Sequence, residues 1–240
     1  MSSTILRAAD RVATQTPWLT SSHSFSFGDH YDPANTHHGV LMVHNEDTIE
    51  AGQGFDTHPH AETEILTWVL SGSLVHQDSE GNSGLIHPGL AQRMSAGTGV
   101  LHSERNDCAS STESVHLIQM WVWPDENGLD PSYEQRDVTA DLTPGSVVPI
   151  ASGDRAHDSA IRIANSGATL HAARLNAGQS ATVPSGRFTH LFVTAGSLTV
   201  DGDRLETADA LRATDFGGST ITANTDSEVL IWSMSKRLGE

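Results

Sequence analysis

Cysteine is almost absent from this chain of 240 residues. Cys108 is the single example, so no disulfide can form within the chain, and the sequence predicts a protein of the reducing cytoplasm. Cys108 follows Glu104 closely, in a Ser-rich stretch. A redox role is compatible with that position, as is the commoner case of an exposed thiol without function.

Basic residues are also scarce. Thirteen Lys and Arg stand against 30 Asp and Glu, which gives a net charge of −17, and Lys236 is the only lysine. An acidic protein repels nucleic-acid phosphates and anionic lipid. The composition therefore argues against direct nucleic-acid binding, and a well-solvated surface explains it most simply.

Long apolar runs are missing as well. No segment approaches the roughly 20 apolar residues that a membrane helix needs. Residues 1–7 lack the apolar stretch of a secretory signal. We therefore expect neither a membrane span nor a secretory leader.

Short strand-like segments dominate what is present. They are rich in Val, Ile, Thr, Trp and Leu and are separated by Gly, Asp, Asn or Pro turns, which is typical of an all-β sandwich or barrel. Helix signals are weak and confined to short pieces such as residues 132–136. The predicted strands cover residues 39–44, 64–70, 73–76, 92–95, 114–122, 159–164, 169–175, 190–194, 198–200 and 228–234.

An internal repeat sets the number of domains. Gly72-Ser73-Leu74 recurs as Gly196-Ser197-Leu198 at an offset of 124 residues, and Trp68 is repeated at the same offset by Phe192. The repeat predicts two related barrels, residues 1–137 and 138–240. We expect a Pro- and Asp-containing stretch, residues 124–158, to join them.

Two triplets in the first half carry metal-ligand chemistry, His58-Pro59-His60 and His102-Ser103-Glu104. Residues i and i+2 of a strand point to the same face, so two such strands can present three imidazoles and one carboxylate to a single ion. With 14 His in the chain, triplets of this kind also arise by chance. Three comparable triplets illustrate that risk: His30-Tyr31-Asp32, His44-Asn45-Glu46 and His76-Gln77-Asp78.

The spacing of the surrounding residues separates the first pair of triplets from these. Gly-x5-His-x-His-x3-Glu, followed about forty residues later by Gly-x2-His-x3-Asn, is the two-part signature of the cupin barrels. In this chain the signature is filled by Gly52, His58, His60, Glu64, Gly99, His102 and Asn106.

The predicted ligands are His58, His60, His102 and Glu104. Imidazole and carboxylate suit Fe(II), Ni, Co, Mn, Cu or Zn better than Ca or Mg. Structural zinc usually recruits cysteine thiolates, and none is available, so we expect a mononuclear site with open positions for substrate, water or O₂.

Two further polar residues need a role. Glu64 stands where many cupins place their carboxylate ligand, and since Glu104 competes for that role we expect Glu64 to be a hydrogen-bond partner of the site or a strand-end residue. Gln119 lies on one face of a predicted strand. If it is buried it needs a partner, for which a metal-bound water is one possibility.

The second copy has lost the imidazoles. Counted from Gly178, the positions of His58 and His60 fall on Pro184 and Gly186. Counted from the later Gly-Ser-Leu, they fall on Thr182 and Pro184. We therefore expect a metal-free, structural second barrel, with the isolated histidines His157, His171 and His190 at the surface or hydrogen-bonded.

The first half resembles the pirin family. The resemblance rests on residues 58–70, 76–81 and 94–104, with Ser24-Phe25-Ser26-Phe27 upstream and Tyr133-Glu134-Gln135-Arg136 after the first barrel. It is closest to bacterial pirin-like proteins with quercetin 2,3-dioxygenase activity. The chain departs from the family at Met42 and Ala61, where pirins usually carry basic residues, and at residues 36–38. We expect these departures near the mouth of the substrate pocket.

The resemblance implies a double cupin that holds one divalent metal, with iron favoured, on the four predicted ligands. It implies a dioxygenase that opens a flavonol such as quercetin with O₂ and releases carbon monoxide, with Glu104 as the base. One alternative is a non-enzymatic, redox-sensitive protein partner or transcriptional co-regulator. Another is a cupin with a different reaction, such as an isomerase. Because two barrels in one chain mimic a cupin dimer, we expect a monomer.

Overall fold

The computed structural model describes residues 2–106 and 113–240. Those residues form strands and turns, and their only helical element is a 3-10 turn at Ala8–Asp10. The prediction of an all-β double barrel is therefore confirmed. No helix in these two ranges is long and apolar enough to cross a membrane. Cys108 lies outside the described residues.

The first barrel consists of a large antiparallel sheet facing a small one. The strand order is β12-β9-β6-β11-β4-β3-β2 in the large sheet and β5-β10-β7-β8 in the small sheet. The strands are β2 Val12–Gln15, β3 Leu19–His23, β4 Leu41–Ile49, β5 Gly54–His60, β6 Glu64–Ser71, β7 Leu74–Asp78, β8 Ser83–Ile86, β9 Leu90–Ser95, β10 Val100–Asn106, β11 Val115–Val122 and β12 Ser132–Asp137.

The second barrel repeats this arrangement, except that its edge strand β14 pairs with β13 in parallel. Its large sheet has the order β1-β20-β17-β22-β15-β13-β14 and its small sheet β16-β21-β18-β19. The strands are β1 Ser2–Leu6, β13 Val147–Ser152, β14 Ile161–Arg162, β15 Ala168–Leu175, β16 Ser180–Thr182, β17 Gly186–Ala195, β18 Ser197–Val200, β19 Asp203–Glu206, β20 Ala210–Phe216, β21 Thr220–Ala223 and β22 Ser227–Met234.

The N-terminal strand belongs to the second barrel. β1 pairs with β20, from Ser2 opposite Thr214 to Leu6 opposite Ala210. Just beyond it, Arg7 Nη1 donates to Asp209 Oδ2 at 2.7 Å. The start of the chain is thus bound to the barrel that the end of the chain builds, and this pairing crosses the predicted division at residue 137.

One sequence-based expectation about the middle of the chain is wrong. Residues 132–136 lie in the edge strand β12, which pairs with β9, so strand pairing overrides their weak helix propensity. The predicted joining stretch of residues 124–158 also contains β12 and β13, which add one strand to each large sheet.

The internal repeat is a repeat of structure. Gly72 follows β6 with φ +76°, and Gly196 follows β17 with φ +80°. A side chain at Gly72 would meet the backbone of Val115 at the start of β11, and one at Gly196 would meet the backbone of Asp226 just before β22. Both turns therefore need glycine for the same two reasons, left-handed backbone and close approach.

The two large sheets pack against each other. Trp68 and Phe192, the repeated aromatic positions, are both buried in the cluster between them. Trp68 Nε1 donates across this core to Glu228 Oε1 at 3.0 Å. The outer face of each large sheet is thus covered, and the inner faces enclose the two barrel interiors.

Candidate metal centre

Adjacent strands of the small sheet bring the three predicted imidazoles together. His58 on β5 lies directly opposite His102 on β10, and His60 follows on the same face. Their ring centroids are 4.4 Å apart for His58 and His102, 4.9 Å for His58 and His60, and 5.0 Å for His60 and His102. One ring nitrogen from each lies within 4.8 Å of the other two, so the three can converge on one ion.

Glu104 enters the site from the same strand as His102, after a bulge between the two. It is buried, at 3% exposure. Its carboxylate lies within 4.8 Å of ring nitrogens of His102 and His76, and it lines the same cavity as His58 and His60. Glu104 therefore lies close to His102, and His58 and His60 also lie close to His102. The ligand atoms of all four residues do not lie within 4.8 Å of one another.

A chain of hydrogen bonds orients the carboxylate. Gln119 Nε2 donates to Glu104 Oε2 at 2.7 Å. The indole of Trp121 donates to Gln119 Oε1 at 3.2 Å, which fixes the orientation of the amide. The partner that a buried Gln119 requires is thus the carboxylate itself.

Burial sets the protonation of the site. Desolvation, followed by the neighbouring His58, lowers the pKa of His60 to about 4. Desolvation and the adjacent imidazoles lower the pKa of His102 to about 3. These rings are neutral at pH 7 and offer free lone pairs, which metal coordination requires. Burial acts oppositely on the carboxyl and raises the pKa of Glu104 to about 7.

His76 was missed as a site residue, since its triplet served only as an example of chance. Its Nδ1 lies 3.5 Å from Nδ1 of His102, and its Nε2 lies 3.3 Å from Asp78 Oδ2. Asp78 thus contacts His76, and His76 contacts the predicted ligand His102. Contacts of this kind around a metal ligand hold its imidazole ring in orientation. Strand pairing could have revealed it, because His76 is directly opposite Glu104.

Glu64 is a strand-end residue. It begins β6, accepts a hydrogen bond from Ser95 Oγ at 2.9 Å and accepts another from the backbone N–H of Ala164 at 3.1 Å. Glu64 therefore links the first barrel to the second through Ala164 and does not contact the imidazoles.

The imidazoles open onto a cavity of about 310 Å³. Aromatic rings form much of its wall, with Phe27, Phe55 and Trp121 beside His58 and His60. The expectation that the departures from the family pattern lie near its mouth stays a prediction. Met42, Ala61 and residues 36–38 do not line it, and the His38 ring packs on Phe188 of the second barrel.

The second barrel carries apolar residues at the positions that correspond to Glu104, Gln119 and Asp47. Glu104 pairs with His76 and Phe55, whereas Ile221 pairs with Val200 and Ala181. By the same register Gln119 corresponds to Ile231, and Asp47 to Ala173. These residues of the second barrel are buried in one apolar cluster.

The histidines of the second barrel do not all fit the expectation. His157 is half-buried, with its Nδ1 3.5 Å from Asp154 Oδ2, and His171 Nδ1 lies 3.4 Å from the carbonyl of Ile231. His190 is fully buried, and neither ring nitrogen has a partner among the described residues. Its ring instead packs against His44 of the first barrel, with centroids 4.7 Å apart. The surface or hydrogen-bonded assignment is therefore wrong for His190.

Comparison with known families agrees with this architecture. The family model described as pirin matches residues 6–122, and the model described as a quercetinase C-terminal cupin domain matches residues 149–234. The chain belongs to the pirin family. Both barrels are therefore cupins, and the pirin match spans the strands that carry the imidazoles.

Known relatives match nearly the full length of this chain. A Mycobacterium tuberculosis protein, provisionally named a quercetin 2,3-dioxygenase, is 56% identical over 98% of this chain and 96% of its own length. An Escherichia coli protein named quercetin 2,3-dioxygenase is 42% identical over 95% of this chain and 96% of its own. The crystal structure of the E. coli bacterial pirin YhhW in complex with nickel(II) has a TM-score of 0.88 at 38% identity, and covers 99% of this chain and 100% of that one.

Proposed function

We propose that this pirin is a metal-dependent dioxygenase that opens the central ring of a flavonol such as quercetin. The observation that carries the proposal is the position of the imidazoles on the wall of an aromatic-lined cavity. A structural metal would be enclosed by protein, whereas these residues face a space large enough for a small aromatic molecule. The names of the whole-length relatives support the same reaction.

The proposed ligands are His58, His60, His102 and Glu104. The residues fit a metal ion, because His102 Nε2 is buried and has no hydrogen-bond partner among the described residues. A buried polar atom without a partner is costly, and coordination would satisfy it. The donor set suits a divalent transition metal, and we favour Fe(II), while the nickel complex of the bacterial relative supports the wider class.

The bound metal would supply a Lewis acid for the substrate oxygens and a route for electrons to O₂. The protein provides the rest of the chemistry. We assign Glu104 as the base that accepts the proton of the 3-hydroxyl group, because its carboxylate lines the cavity beside the imidazoles, within reach of a molecule that they hold. Gln119 holds that carboxylate in place, and the aromatic wall holds the flat substrate and excludes water.

The reaction balances without a further reductant. Both atoms of O₂ enter the ring-opened ester, and the carbon that bore the 3-hydroxyl leaves as carbon monoxide. The protein therefore needs to bind only the flavonol and O₂, and the described cavity serves both.

The test follows metal and turnover together. Protein purified without added ions is analysed for metal, and quercetin loss, O₂ uptake and CO release are then measured for wild type, His60→Ala and the control His157→Ala in the second barrel. We expect stoichiometric CO from wild type and the control, and at least a hundredfold slower turnover in His60→Ala.

Undiminished turnover in metal-free His60→Ala would overturn the assignment. Wild-type protein that binds metal but turns over no member of a flavonoid panel would favour the regulatory role instead.

A further inference from the structure

The wall of the cavity that faces the imidazoles is polar, and nothing in the proposed chemistry uses it. The large sheet supplies it through strand alternation: β3 directs Ser21 and His23 inward, and β4 directs Asn45 and Asp47 inward. All four residues line the same cavity as His58, His60 and Glu104. Because the imidazoles come from the small sheet, a molecule held by them presents another part of itself to this wall.

Three of the polar residues on or beside this wall satisfy one another. His23 Nδ1 lies 3.0 Å from Asn45 Oδ1, and His23 Nε2 lies 2.9 Å from the Thr14 hydroxyl. A ring that donates from Nδ1 to Asn45 can accept from Thr14 at Nε2, so one neutral tautomer serves both contacts. These residues form a rigid frame.

Asp47 is different. It is 3% exposed, and its Oδ1 has no hydrogen-bond partner among the described residues. Burial raises the pKa of Asp47 to about 6, against the opposing effect of the Ser21 hydroxyl beside it. Burying a carboxylate oxygen without a donor costs free energy, and a donor group on a molecule in the cavity would recover it.

We propose that Asp47 is a specificity-determining residue that accepts a hydrogen bond from a phenolic hydroxyl on the part of the flavonol that the imidazoles do not hold. The proposal rests on the proposed function, and it narrows the substrate class to flavonols that carry hydroxyl groups beyond the 3-position. A flavonol without them leaves Asp47 Oδ1 buried without a donor. The second barrel, with Ala173 at the corresponding position, has no such acceptor.

The test compares two ligands that differ only in those hydroxyls, quercetin and 3-hydroxyflavone. Their dissociation constants are measured by calorimetry on the metal-loaded full chain without O₂, for wild type, Asp47→Asn, Asp47→Ala and the exposed control Asp203→Asn. We expect wild type and the control to prefer quercetin by about ten- to a hundredfold, the range for a hydrogen bond to a charged acceptor. Asp47→Ala should bring the ratio close to one, and Asp47→Asn, which keeps one acceptor oxygen, should lie between.

Equal ratios in wild type and Asp47→Ala would overturn the proposal, as would a parallel loss of affinity for both ligands accompanied by a lower melting temperature. The two proposals fail separately. A preference that depends on Asp47 without CO release would overturn the dioxygenase and leave the specificity role. CO release with a preference that ignores Asp47 would do the reverse, and no flavonol binding in wild type would overturn both.

Discussion

The two barrels share a strand order and differ in what fills them. In the first, imidazoles, Glu104, Gln119 and Asp47 surround a cavity. In the second, the corresponding register positions hold Ile221, Ile231 and Ala173, and the interior is a continuous apolar cluster. The difference teaches that the same strand order can enclose either a cavity lined with polar groups or a packed apolar interior.

The contrast also separates stability from chemistry within one chain. An apolar interior gains free energy from burial, whereas a cavity lined with buried polar groups gives up part of that gain. The first barrel shares a large apolar core with its neighbour, where Trp68 and Phe192 meet. We therefore infer that the second barrel and the shared core stabilise the first barrel, whose interior is occupied by polar site residues.

The largest effect is expected from removing the site itself. His102→Ala should abolish metal binding and reduce turnover about a thousandfold or more, since it deletes the imidazole opposite His58. Bound metal by mass spectrometry and CO release by gas chromatography measure the two effects. Ser180→Ala, in the matching small sheet of the second barrel, is the control. Retention of stoichiometric metal by His102→Ala would remove it from the ligand set.

The next largest effect is expected from placing a polar residue in the apolar interior of the second barrel. Ile221→Glu places a carboxyl where the second barrel has an aliphatic residue with 0% exposure. With no donor group around it, the change should lower the free energy of unfolding by roughly 3 kcal/mol or more. Urea denaturation measures the loss, and Ile221→Val should cost only about 1 kcal/mol. If the glutamate variant were as stable as the valine variant, the second barrel would tolerate polar groups, and its apolar filling would not explain its role.

A smaller effect comes from making the first barrel resemble the second. Gln119→Ile removes the donor to Glu104 and supplies the residue found at the corresponding position, Ile231. We expect kcat to fall roughly ten- to a hundredfold with bound metal retained, because the carboxylate loses its orienting partner. Steady-state kinetics and metal analysis separate the two. Unchanged kcat would show that Gln119 fills space without positioning Glu104.

The smallest effect concerns the contact between the barrels. Burial lowers the pKa of His44 to about 3, with Arg11 adding to the effect, and it lowers the pKa of His190 well below its usual value. Below pH 6.5 the unfolded chain binds protons that the folded chain does not, so these groups reduce stability as the pH falls from about 6.5 toward 3. The slope is at most about 1.4 kcal/mol per pH unit for each.

Urea denaturation of wild type and His190→Phe at pH 7, 6 and 5 measures that slope. The variant should lose less stability on acidification than wild type. Glu104 and Asp47, whose pKa values are raised, act in the opposite direction in both proteins and cancel in the difference. Parallel curves would exclude the buried pair as the cause of acid sensitivity.

The amino-acid sequence by itself determined the class of fold and the three imidazoles that converge. Strand alternation places His58 and His60 on one face, and the repeated Gly72 and Gly196 mark the same turn in two barrels, so both follow from local geometry. The sequence also predicts a second barrel without the histidine pair, because neither register places an imidazole at the positions of His58 and His60.

Tertiary structure alone decided what surrounds those residues. His76 reaches the site because it pairs with Glu104 across two strands, and Asp47 lines the cavity from the large sheet. Nothing in the local sequence distinguishes the triplet of His76 from a chance triplet, or Asp47 from a surface carboxylate. The edge strand at 132–137 and the exchange of β1 into the second barrel were decided in the same way. These features depend on contacts between residues far apart in the chain. Residue spacing does not encode such contacts, so only the folded barrels define them.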